Sequence, residues 1–394
     1  MTRADLLVVG GGPAGSSLAA LAARAGVRTL LLEKEHFPRD KVCGEFVSAE
    51  GCAVLGRAGL LDAVVAKRAM PMDACLLADA KGRSVTSSLP ELPGAGRTAL
   101  GISRAVFDEL LLHHATACGV TVRDRTTALA PIVSDGVVRG VMARSGDDAG
   151  EEDVHATLVV AADGRRSMLQ RALLPEIGDP TTTTPRSWFG FKAHFPDRTG
   201  GLGRRIELFV FDGGYAGLGP VEGGRLDLGL IARVSALKAC GGSPQRLFAE
   251  RMLQNPLLAE RLAGLTTCSP WKSIGPLRFN VRQPASHGAL FLGDAAGTID
   301  PFSGEGMSNA LRGAELALPY VMSAIAAGGL TPAAARAWSK TWRTAFTPVT
   351  RRARLIGRIF EHPRPAALAM TLLRLPQGMR MLPSLVAATR TGTV

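Results

Sequence analysis

The stretch that decides the fold is residues 8–15, which read VVGGGPAG. An apolar run precedes it, and this run predicts a buried strand over residues 5–10. A stretch of small residues follows it and predicts a helix over residues 13–25. The next apolar run, VRTLLLE at residues 27–33, predicts a second buried strand. A strand, a helix and a second strand in this order indicate an α/β domain built on a parallel sheet.

Three glycines in this stretch fit the GxGxxG pattern between a strand and a helix. Gly10 permits a tight turn, Gly12 leaves the backbone open to a pyrophosphate, and Gly15 lets the helix lie close to the sheet. Pro13 and Ala14 open the helix, whose free N–H groups and dipole favour a phosphate. The pattern therefore predicts a bound dinucleotide, and the alternative is a glycine-rich turn without a ligand.

The end of the second strand carries a charged pair, Glu33 and Lys34. A carboxylate at this distance from the glycines can bind ribose hydroxyls. We count both residues among the candidate cofactor-binding residues.

The composition is that of a soluble globular protein. The chain has 394 residues, of which 46% are hydrophobic and 20% charged, enough for more than one domain. Its six cysteines form no CxxC pair, so we expect neither a disulfide framework nor a metal site, and they suit a reducing cytoplasm. Because Asp5 precedes the first apolar run and glycines interrupt it, we expect no signal peptide. No apolar run approaches the ~20 residues of a membrane span.

The net charge of +12 is concentrated at the end of the chain. Residues 331–394 hold eleven Lys and Arg against the single acid Glu361. Arginines at 351, 352, 354 and 358 alternate with apolar residues at 356, 359 and 360 at roughly helical spacing. Such a helix could contact an anionic membrane surface or an acidic carrier protein, and the alternative is a solvated face of a capping helix. We expect no nucleic acid, because only 5% of the residues are aromatic and no recognition motif occurs.

The remaining pattern predicts three regions. Residues 74–88 read as a hairpin, 104–118 as a helix, and 157–164 and 288–297 as buried strands, whereas alternation over 187–231 indicates an antiparallel sheet. Beyond residue 331 the pattern is helical, with breaks expected at the prolines 348, 363, 365, 376 and 383. We therefore assign 1–70, 100–180 and 280–330 to a nucleotide-binding domain, 71–99 and 181–279 to a substrate domain, and 331–394 to a helical basic region.

Two further motifs, AADGRRS at 161–167 and LFLGDAAGTIDPFSGEG at 290–306, extend the argument. With them the sequence resembles the FAD-dependent monooxygenase superfamily typified by para-hydroxybenzoate hydroxylase, which also includes geranylgeranyl reductases and halogenases. The resemblance implies an α/β fold with a Rossmann-type FAD-binding domain, an inserted antiparallel β-sheet substrate domain and a helical C-terminal tail. It also implies FAD as cofactor and NADPH or NADH as reductant.

The resemblance assigns roles to single residues. Asp163 and Gly164 match a motif associated with FAD and NAD(P)H, and Gly293 and Asp294 match a motif whose aspartate accepts from the ribityl chain. Arg104 matches an arginine that contacts the FAD. The alternatives are a helix cap for Asp294 and a surface charge for Arg104.

The loop 301–307, PFSGEGM, leads into a helix that points at the flavin in the resembling proteins. Gly304, Gly306 and Met307 are therefore cofactor-binding candidates. The dipole at the start of this helix favours the negative charge of a reduced flavin. We expect the Glu305 side chain to face away or to cap the helix, and not to be catalytic.

The segment 38–48, PRDKVCGEFVS, supplies the candidate reactive groups. Arg39 or Lys41 could neutralise the pyrophosphate. Residues 43–45 resemble the segment beside the flavin in geranylgeranyl-reductase-like proteins, which makes Cys43 and Glu45 candidates for proton transfer. The alternatives are an inert buried cysteine and a carboxylate that caps or pairs.

The segment 214–230 resembles the strand that lines the substrate cavity in reductases of this type. Tyr215 and Pro220 match that branch, but Gly217 and Gly219 replace bulky positions of its Tyr-x-Trp-x-Phe-Pro signature. This departure predicts an open pocket and favours oxygen transfer over reduction. The halogenase signature Trp-x-Trp-x-Ile-Pro is absent from the sequence.

The favoured function is a monooxygenase, a hydroxylase or epoxidase, that uses NAD(P)H and O₂. Its expected substrate is an aromatic or polyketide-like hydrophobic compound of secondary metabolism, free or attached to a carrier. The first alternative is an alkene reductase or dehydrogenase, and the second is a flavin-binding docking protein. We expect a cytoplasmic protein, with peripheral membrane contact through the basic tail as an option.

Overall fold

The first sheet contains the glycine-rich stretch at the end of its central strand. The computed structural model describes residues 2–146, 150–177, 182–185, 187–198 and 200–387. In these ranges the sheet has eight strands, numbered in chain order: β1 (Thr2–Val9), β2 (Thr29–Leu32), β8 (Thr121–Arg123), β9 (Thr126–Ser134), β10 (Val137–Ser145), β11 (Glu151–Ala161), β18 (Ala285–Ser286) and β19 (Ala289–Phe291).

Five of these strands run parallel in the order β19-β11-β1-β2-β8. Leu7 on β1 lies opposite Val159 on β11 and Leu30 on β2. These residues are almost fully buried, as expected for a parallel sheet that is covered on both faces. The parallel sheet predicted from the first motif is confirmed.

Helices flank this sheet and continue to the end of the described chain. The α1 helix contacts both α4 and α9, and α9 contacts α10. The helices are α1 (Pro13–Arg24), α2 (Ala49–Arg57), α3 (Leu61–Ala66), α4 (Arg104–Ala117), α5 (Met168–Leu173), α6 (Val234–Ala239), α7 (Pro244–Glu250), α8 (Pro256–Arg261), α9 (Gly306–Ala326), α10 (Pro332–Phe360), α11 (Pro363–Leu373) and α12 (Pro376–Ala387), with short 3₁₀ turns at Pro175–Ile177, Met252–Gln254, Gly293–Ala295 and Pro301–Ser303.

The second sheet separates two apolar layers. Its strands are β5 (Ala74–Ala78), β6 (Ser84–Ser88), β12 (Trp188–Pro196), β13 (Arg205–Phe211), β14 (Gly214–Val221), β15 (Arg225–Arg233) and β16 (Lys272–Leu277), in the order β16-β12-β15-β14-β13-β5-β6. The predicted antiparallel pairing holds throughout, except that β13 and β5 run parallel. One face packs on α6 to α8, and the other face is turned towards the first domain.

Two small sheets complete the fold. One is formed by β3 (Phe46–Ser48), β4 (Met70–Met72) and β7 (Ala99–Gly101), and the other by β17 (Asn280–Val281) and β20 (Gly297–Thr298). In the first of these sheets, β3 is the end of the segment 38–48 and pairs with β7, which leads into α4. This pairing connects the candidate site residues of the segment to α4.

The C-terminal region departs from the sequence prediction at three of its five prolines. Pro363 and Pro376 begin helices, where a missing N–H costs no hydrogen bond, but Pro365 lies within the first turn of α11, Pro348 inside α10 and Pro383 inside α12. The predicted breaks at 348, 365 and 383 are therefore wrong. The α10 helix continues through its proline because Trp342, Phe346 and Val349 are buried against the neighbouring elements. Within the described ranges, no helix is both long and apolar enough to cross a membrane.

Candidate functional site

The turn between β1 and α1 has no room for a side chain at Gly10 and Gly15, but there is free space beside Gly12. Gly10 has a φ of +105°, and a Cβ there would lie 2.5 Å from the carbonyl oxygen of Ala162. A Cβ on Gly15 would lie 1.9 Å from the oxygen of Gly10. A Cβ on Gly12 would meet only the Arg39 guanidinium, at 3.7 Å. The start of α1 therefore presents free space and N–H groups that fit a phosphate.

Glu33 orders this turn from the end of β2. Its carboxylate accepts hydrogen bonds from the backbone N–H groups of Gly11, at 2.7 Å, and of Glu35, at 2.9 Å. Each oxygen keeps a lone pair with which it could accept from a ribose hydroxyl. Lys34, in contrast, is exposed and lies 3.8 Å from Glu35. The structure does not bring the Lys34 side chain into the site, because successive residues at a strand end point in opposite directions.

Three cations converge beside the start of α1. Arg104 is buried and donates two hydrogen bonds to Asp108, at 2.8 and 2.7 Å, and Arg39 donates to the same carboxylate at 2.9 Å. Lys41 lines the cavity, and its pKa is lowered by burial and by the two guanidinium groups. Asp108 and Glu33, which lies 3.8 Å from the Arg39 guanidinium, balance two of these three cations, so the remaining positive charge fits a diphosphate.

The two motif aspartates have different surroundings. Asp163 accepts from the N–H of Met168 at 2.7 Å, and its pKa is raised by burial; it does not line the cavity, although Gly164 does. Asp294 lines the cavity beside Gly293, and in the described part of the chain it makes no hydrogen bond and caps no helix. Its carboxylate is therefore available to accept from ligand hydroxyls.

The loop before α9 contributes backbone rather than side chains. Gly304 has a φ of +69°, and Gly306 begins α9 at a place where a Cβ would have no neighbour within 4 Å. Both line the cavity together with Met307. Glu305 also lines it, is buried, and accepts from the hydroxyl of Ser48 at 2.7 Å. The start of α9 thus faces the cavity, as the resemblance implies, whereas the Glu305 side chain accepts from Ser48 and makes no capping hydrogen bond.

A single apolar cavity of about 550 Å³ connects this cofactor end to the second sheet and the C-terminal helices. Beyond Asp294 its wall consists of residues from all seven strands of the second sheet and then from α10 and α11. Its apolar lining includes Leu77, Val85, Ile206, Leu208, Ile274, Leu277, Phe279, Ile356, Ile359, Phe360, Ala369, Leu372 and Leu373. The helical tail, expected only as a basic region, supplies much of this wall.

Two of the four predicted cavity residues line it. Tyr215 lies at the wall and donates from its hydroxyl to Asp300 at 2.6 Å, where burial raises the pKa of Asp300 to about 6. Gly217 also lines the cavity. Gly219 and Pro220 do not: a Cβ on Gly219 would meet the Met72 side chain at 3.2 Å, and the carbonyl of Pro220 packs against Gly101, where a Cβ would lie 2.1 Å away.

Cys43 and Glu45 lie on the wall near the cofactor end. Burial raises the pKa of the Cys43 thiol, which keeps it protonated. Its sulfur accepts a weak hydrogen bond from the N–H of Glu45, at 3.4 Å. Gly229 on β15 makes room for this segment, since a Cβ there would lie 3.3 Å from Gly44.

Glu45 is the centre of a buried charged cluster. It has a φ of +49° and no exposed surface. One oxygen accepts from the N–H of Arg104, at 2.7 Å, and contacts the ammonium of Lys192, while the other lies 2.8 Å from Nε2 of His194. Lys192 also donates to Asp40 at 2.5 Å.

Asp227 completes this cluster from β15, where it lies opposite His194. Neither of its carboxylate oxygens has a hydrogen-bond partner in the described chain, and burial and Glu45 raise its pKa well above the ordinary value. Burial acts to lower the pKa of Lys192, but Asp227 and Glu45 outweigh it and raise that pKa. Burial and Glu45 thus favour a proton on Asp227, whereas the ammonium of Lys192 opposes it.

Ligating atoms of Glu45, His194 and Asp227 lie within 4.8 Å of one another, a spacing that could hold a metal ion. However, the Lys192 ammonium already contacts Glu45 and supplies the positive charge that these carboxyl groups require. We therefore interpret the cluster as an acid–base group.

Sequence reasoning missed Lys192, His194, Asp227 and Asp300. The first two alternate on one strand in the segment FGFKAHF, where polar residues at every second position of an apolar strand were the available signal. Their convergence on Glu45 depends on the packing of the second sheet against the segment 38–48, which no local pattern reports.

The fold and the site define a protein that binds a flavin dinucleotide through a Rossmann-type domain. The sequence model of a family described as FAD binding domain matches residues 3–318 of the chain. The chain therefore belongs to this FAD-binding family and is an FAD-dependent oxidoreductase, as the resemblance implied.

Relatives and solved structures agree with this assignment. Digeranylgeranylglycerophospholipid reductase of Methanosarcina mazei is 28% identical over 355 residues, which are 86% of this chain and 80% of the relative. Menaquinone reductase of Mycolicibacterium smegmatis is 28% identical over 388 residues, 95% of this chain and 87% of the relative.

Among solved structures, a geranylgeranyl bacteriochlorophyll reductase-like protein from Thermoplasma acidophilum matches with a TM-score of 0.80 and 19% identity, over 98% of this chain and 96% of that one. A flavin-dependent brominase matches with a TM-score of 0.80 and 19% identity, over 98% and 94% of the two chains. At this identity the structural matches establish the fold alone.

Proposed function

We propose that the chain is an FAD-dependent reductase of carbon–carbon double bonds in a long isoprenoid chain. The observation that carries the proposal is the cavity, which is apolar from the cofactor end to the C-terminal helices and has a protonated thiol on its wall. A long apolar chain would bury its surface along this wall, and a hydride acceptor would lie between the cofactor and Cys43.

The names of the two relatives support this substrate class. Digeranylgeranyl lipids and menaquinone both contain unsaturated isoprenoid chains, and both relatives are named as reductases. This moves our preference from the oxygen transfer expected from the sequence to the reduction that was its first alternative.

The residues around the cofactor end would hold and orient FAD. Arg39, Lys41 and Arg104 offer the positive charge for its diphosphate, and Asp294 an acceptor for its hydroxyl groups. The start of α9 would stabilise negative charge on the reduced ring. Bound FAD, reduced by NADPH or NADH, supplies the hydride that the chain itself cannot provide.

The protein supplies the proton. Reduction of C=C adds one hydride to one carbon and one proton to its neighbour, so the proton must come from an acid on the cavity wall. The Cys43 thiol is held protonated by burial and is the proposed donor. The proton that restores the thiol would come from Asp227 and pass through Glu45, whose carboxylate lies within 4.8 Å of that of Asp227, so that Glu45 takes up one proton and gives one to the thiolate. The apolar wall excludes water from this step.

One observation favours oxygen transfer as a second candidate. A Cβ on Gly217 would find Leu208 at 3.5 Å as its nearest neighbour, so this part of the wall has room for a ring wider than an isoprenoid chain. An aromatic or polyketide-like substrate that is hydroxylated with NAD(P)H and O₂ would use this room.

An anaerobic experiment separates the two reactions. The enzyme is reduced with NADPH or NADH or with dithionite under strict anaerobiosis, a geranylgeranyl lipid is added, and ¹⁸O₂ is then admitted. Saturated product formed before oxygen enters supports the reductase. Product that contains ¹⁸O and forms only after oxygen enters overturns it in favour of the monooxygenase, and no turnover of any substrate leaves the flavin-binding docking protein.

The proton donor is tested with Cys43→Ala. We expect kcat for alkene reduction to fall about 10²-fold or more, the usual contribution of a positioned acid, while FAD content and the rate of flavin reduction stay unchanged. The matched control is Cys268→Ala, which removes an exposed cysteine. An unchanged kcat in Cys43→Ala would exclude this thiol as the donor.

A further inference from the structure

We propose that the exposed face of α10 to α12 docks on a bilayer leaflet that contains anionic phospholipids, with the cavity mouth against the lipid. We call this face the docking face. It consists of the exposed apolar residues Leu355, Ile359, Leu368, Leu372, Leu375 and Met381 and the exposed arginines Arg351, Arg358, Arg364, Arg374 and Arg380.

The exposed apolar side chains of the molecule are concentrated on this face. Of seven large hydrophobic residues that are exposed in the described chain, six are those of the docking face, and the seventh is Val133 on β9. Leu368 is 65% exposed and Leu355 62%. Single exposed apolar residues need no explanation, but five on three consecutive helices and a sixth, Leu375, in the turn between the last two form a contact surface.

Cations share the rows of these apolar residues. On α10, Arg351, Leu355 and Ile359 follow one another at four-residue spacing, and all three are exposed. On α11, Arg364 and Leu368 repeat this arrangement. A helical face that combines leucines with arginines is typical of helices that lie in the lipid headgroup region.

Among the described residues of α10 to α12, arginines outnumber acids. The one acid there, Glu361, pairs with Arg233 from the second sheet. Arg351, Arg358, Arg364, Arg374 and Arg380 are exposed, so the face carries a net positive charge that complements anionic headgroups. This complementarity selects an anionic leaflet rather than a neutral one.

The cavity reaches the surface at the same place. Ile359 and Leu372 are both exposed and both line the cavity, and α10 contacts α11 here. The other sides of these helices pack on the second sheet through Phe360, Ala366 and Met370. A chain leaving the bilayer would enter the cavity between the two helices; this entry route rests on the proposed function, whereas docking does not.

The test is co-sedimentation of the full chain with vesicles of phosphatidylcholine alone or mixed equally with phosphatidylglycerol, at about 0.05 M and about 0.5 M salt. We expect binding to the anionic vesicles at low salt and loss of most of it at high salt. Leu355→Glu with Leu368→Glu, and separately Arg364→Glu with Arg374→Glu, should each lower the partition coefficient about tenfold or more. These four residues do not line the cavity.

Matched controls lie elsewhere on the surface. Val133→Glu introduces the same charge at the other exposed apolar residue, and Lys67→Glu reverses a charge on another exposed segment. Both should bind as the unchanged protein does. FAD absorbance and the melting temperature verify that every variant is folded.

Two results would overturn the proposal. One is no binding of the folded protein to anionic vesicles at low salt, which would assign the cations to an acidic protein or to solvent. The other is equal losses in the docking-face and control variants. Because sedimentation requires no turnover, vesicle binding without alkene reduction would contradict only the proposed function.

Discussion

The missing side chain of Gly12 is what opens the start of α1 to a phosphate. Its Cβ position faces only the end of the flexible Arg39 side chain, so a larger residue there can be accommodated by the fold but not together with a diphosphate. This distinguishes Gly12 from Gly10 and Gly15, where a Cβ would collide with backbone.

We therefore predict that Gly12→Val folds but loses FAD. The measurement is the ratio of flavin to protein absorbance after purification, with the melting temperature as the check on folding. Gly56→Val is the matched control, because Gly56 is exposed on α2 with no neighbour within 4 Å of its Cβ position. A folded Gly12→Val protein with full flavin content would contradict the assignment of the phosphate site.

A second residue-scale prediction concerns the buried Asp300. Its pKa is about 6 in the fold, above the ordinary value of 3.8, so the folded state holds an extra proton between these pH values. The free energy of unfolding should therefore fall as pH rises from 4 to 6, by at most about 3 kcal/mol. In Asp300→Asn this contribution should be absent.

Denaturant unfolding at several pH values measures the contribution of Asp300 to the free energy of unfolding. This contribution is the difference between the unchanged protein and Asp300→Asn at each pH. Asp62→Asn, at an exposed position on α3, is the control and should follow the unchanged protein. Parallel curves for Asp300→Asn and the unchanged protein would show that Asp300 does not titrate differently in the fold.

At the scale of one element, α10 shows how packing overrides local preference. Pro348 removes one helical hydrogen bond from the interior of α10, yet the helix runs on to Phe360 because Trp342, Phe346 and Val349 are buried on either side of the proline. A proline in a helix interior costs about 3 kcal/mol. The free energy gained by burying the three large apolar side chains exceeds this cost.

Pro348→Ala should consequently stabilise the protein, by about 1–3 kcal/mol, since the alanine restores the missing donor without a change of packing. The melting temperature reports this. Pro332→Ala at the first position of the same helix is the control and should change little, because a first-turn N–H has no helical partner. A lower melting temperature for Pro348→Ala would mean that the proline shapes a bend on which the packing depends.

At the scale of the whole molecule, the cluster around Lys192 connects the two large units. Lys192 is on the second sheet, whereas Asp40 and Glu45 belong to the segment that runs beside the cofactor end. Its ammonium is therefore the shared counter-ion of two carboxylates at this junction.

Lys192→Met should destabilise the protein by about 3–5 kcal/mol at pH 8, because two carboxylates then lose their cation in a buried place. The loss should be smaller at pH 5, since without the ammonium the folded variant's buried carboxyl groups bind protons more readily, which stabilises its folded state as pH falls. Thermal unfolding across this range gives the comparison, with the exposed Lys238→Met as control. A loss of stability that does not depend on pH would indicate that Lys192 stabilises the fold through packing of its side chain rather than through its charge.

The FAD-binding fold could be predicted from the sequence, because its motifs are local. The glycines at 10, 12 and 15, the strand before them and the helix after them are adjacent in the chain, and the phosphate site is formed by that local backbone. The same holds for the loop before α9. Such motifs can be read because their chemistry needs only a few consecutive residues in one conformation.

The lining of the cavity could be read only from the packing of the whole chain. The Lys34 side chain is exposed, Gly219 and Pro220 do not line the cavity, and residues of the basic tail do. The same packing brings Lys192, His194 and Asp227 to Glu45, across nearly half of the chain. The physical reason is that these contacts depend on how a sheet packs against a distant loop, which no local periodicity encodes.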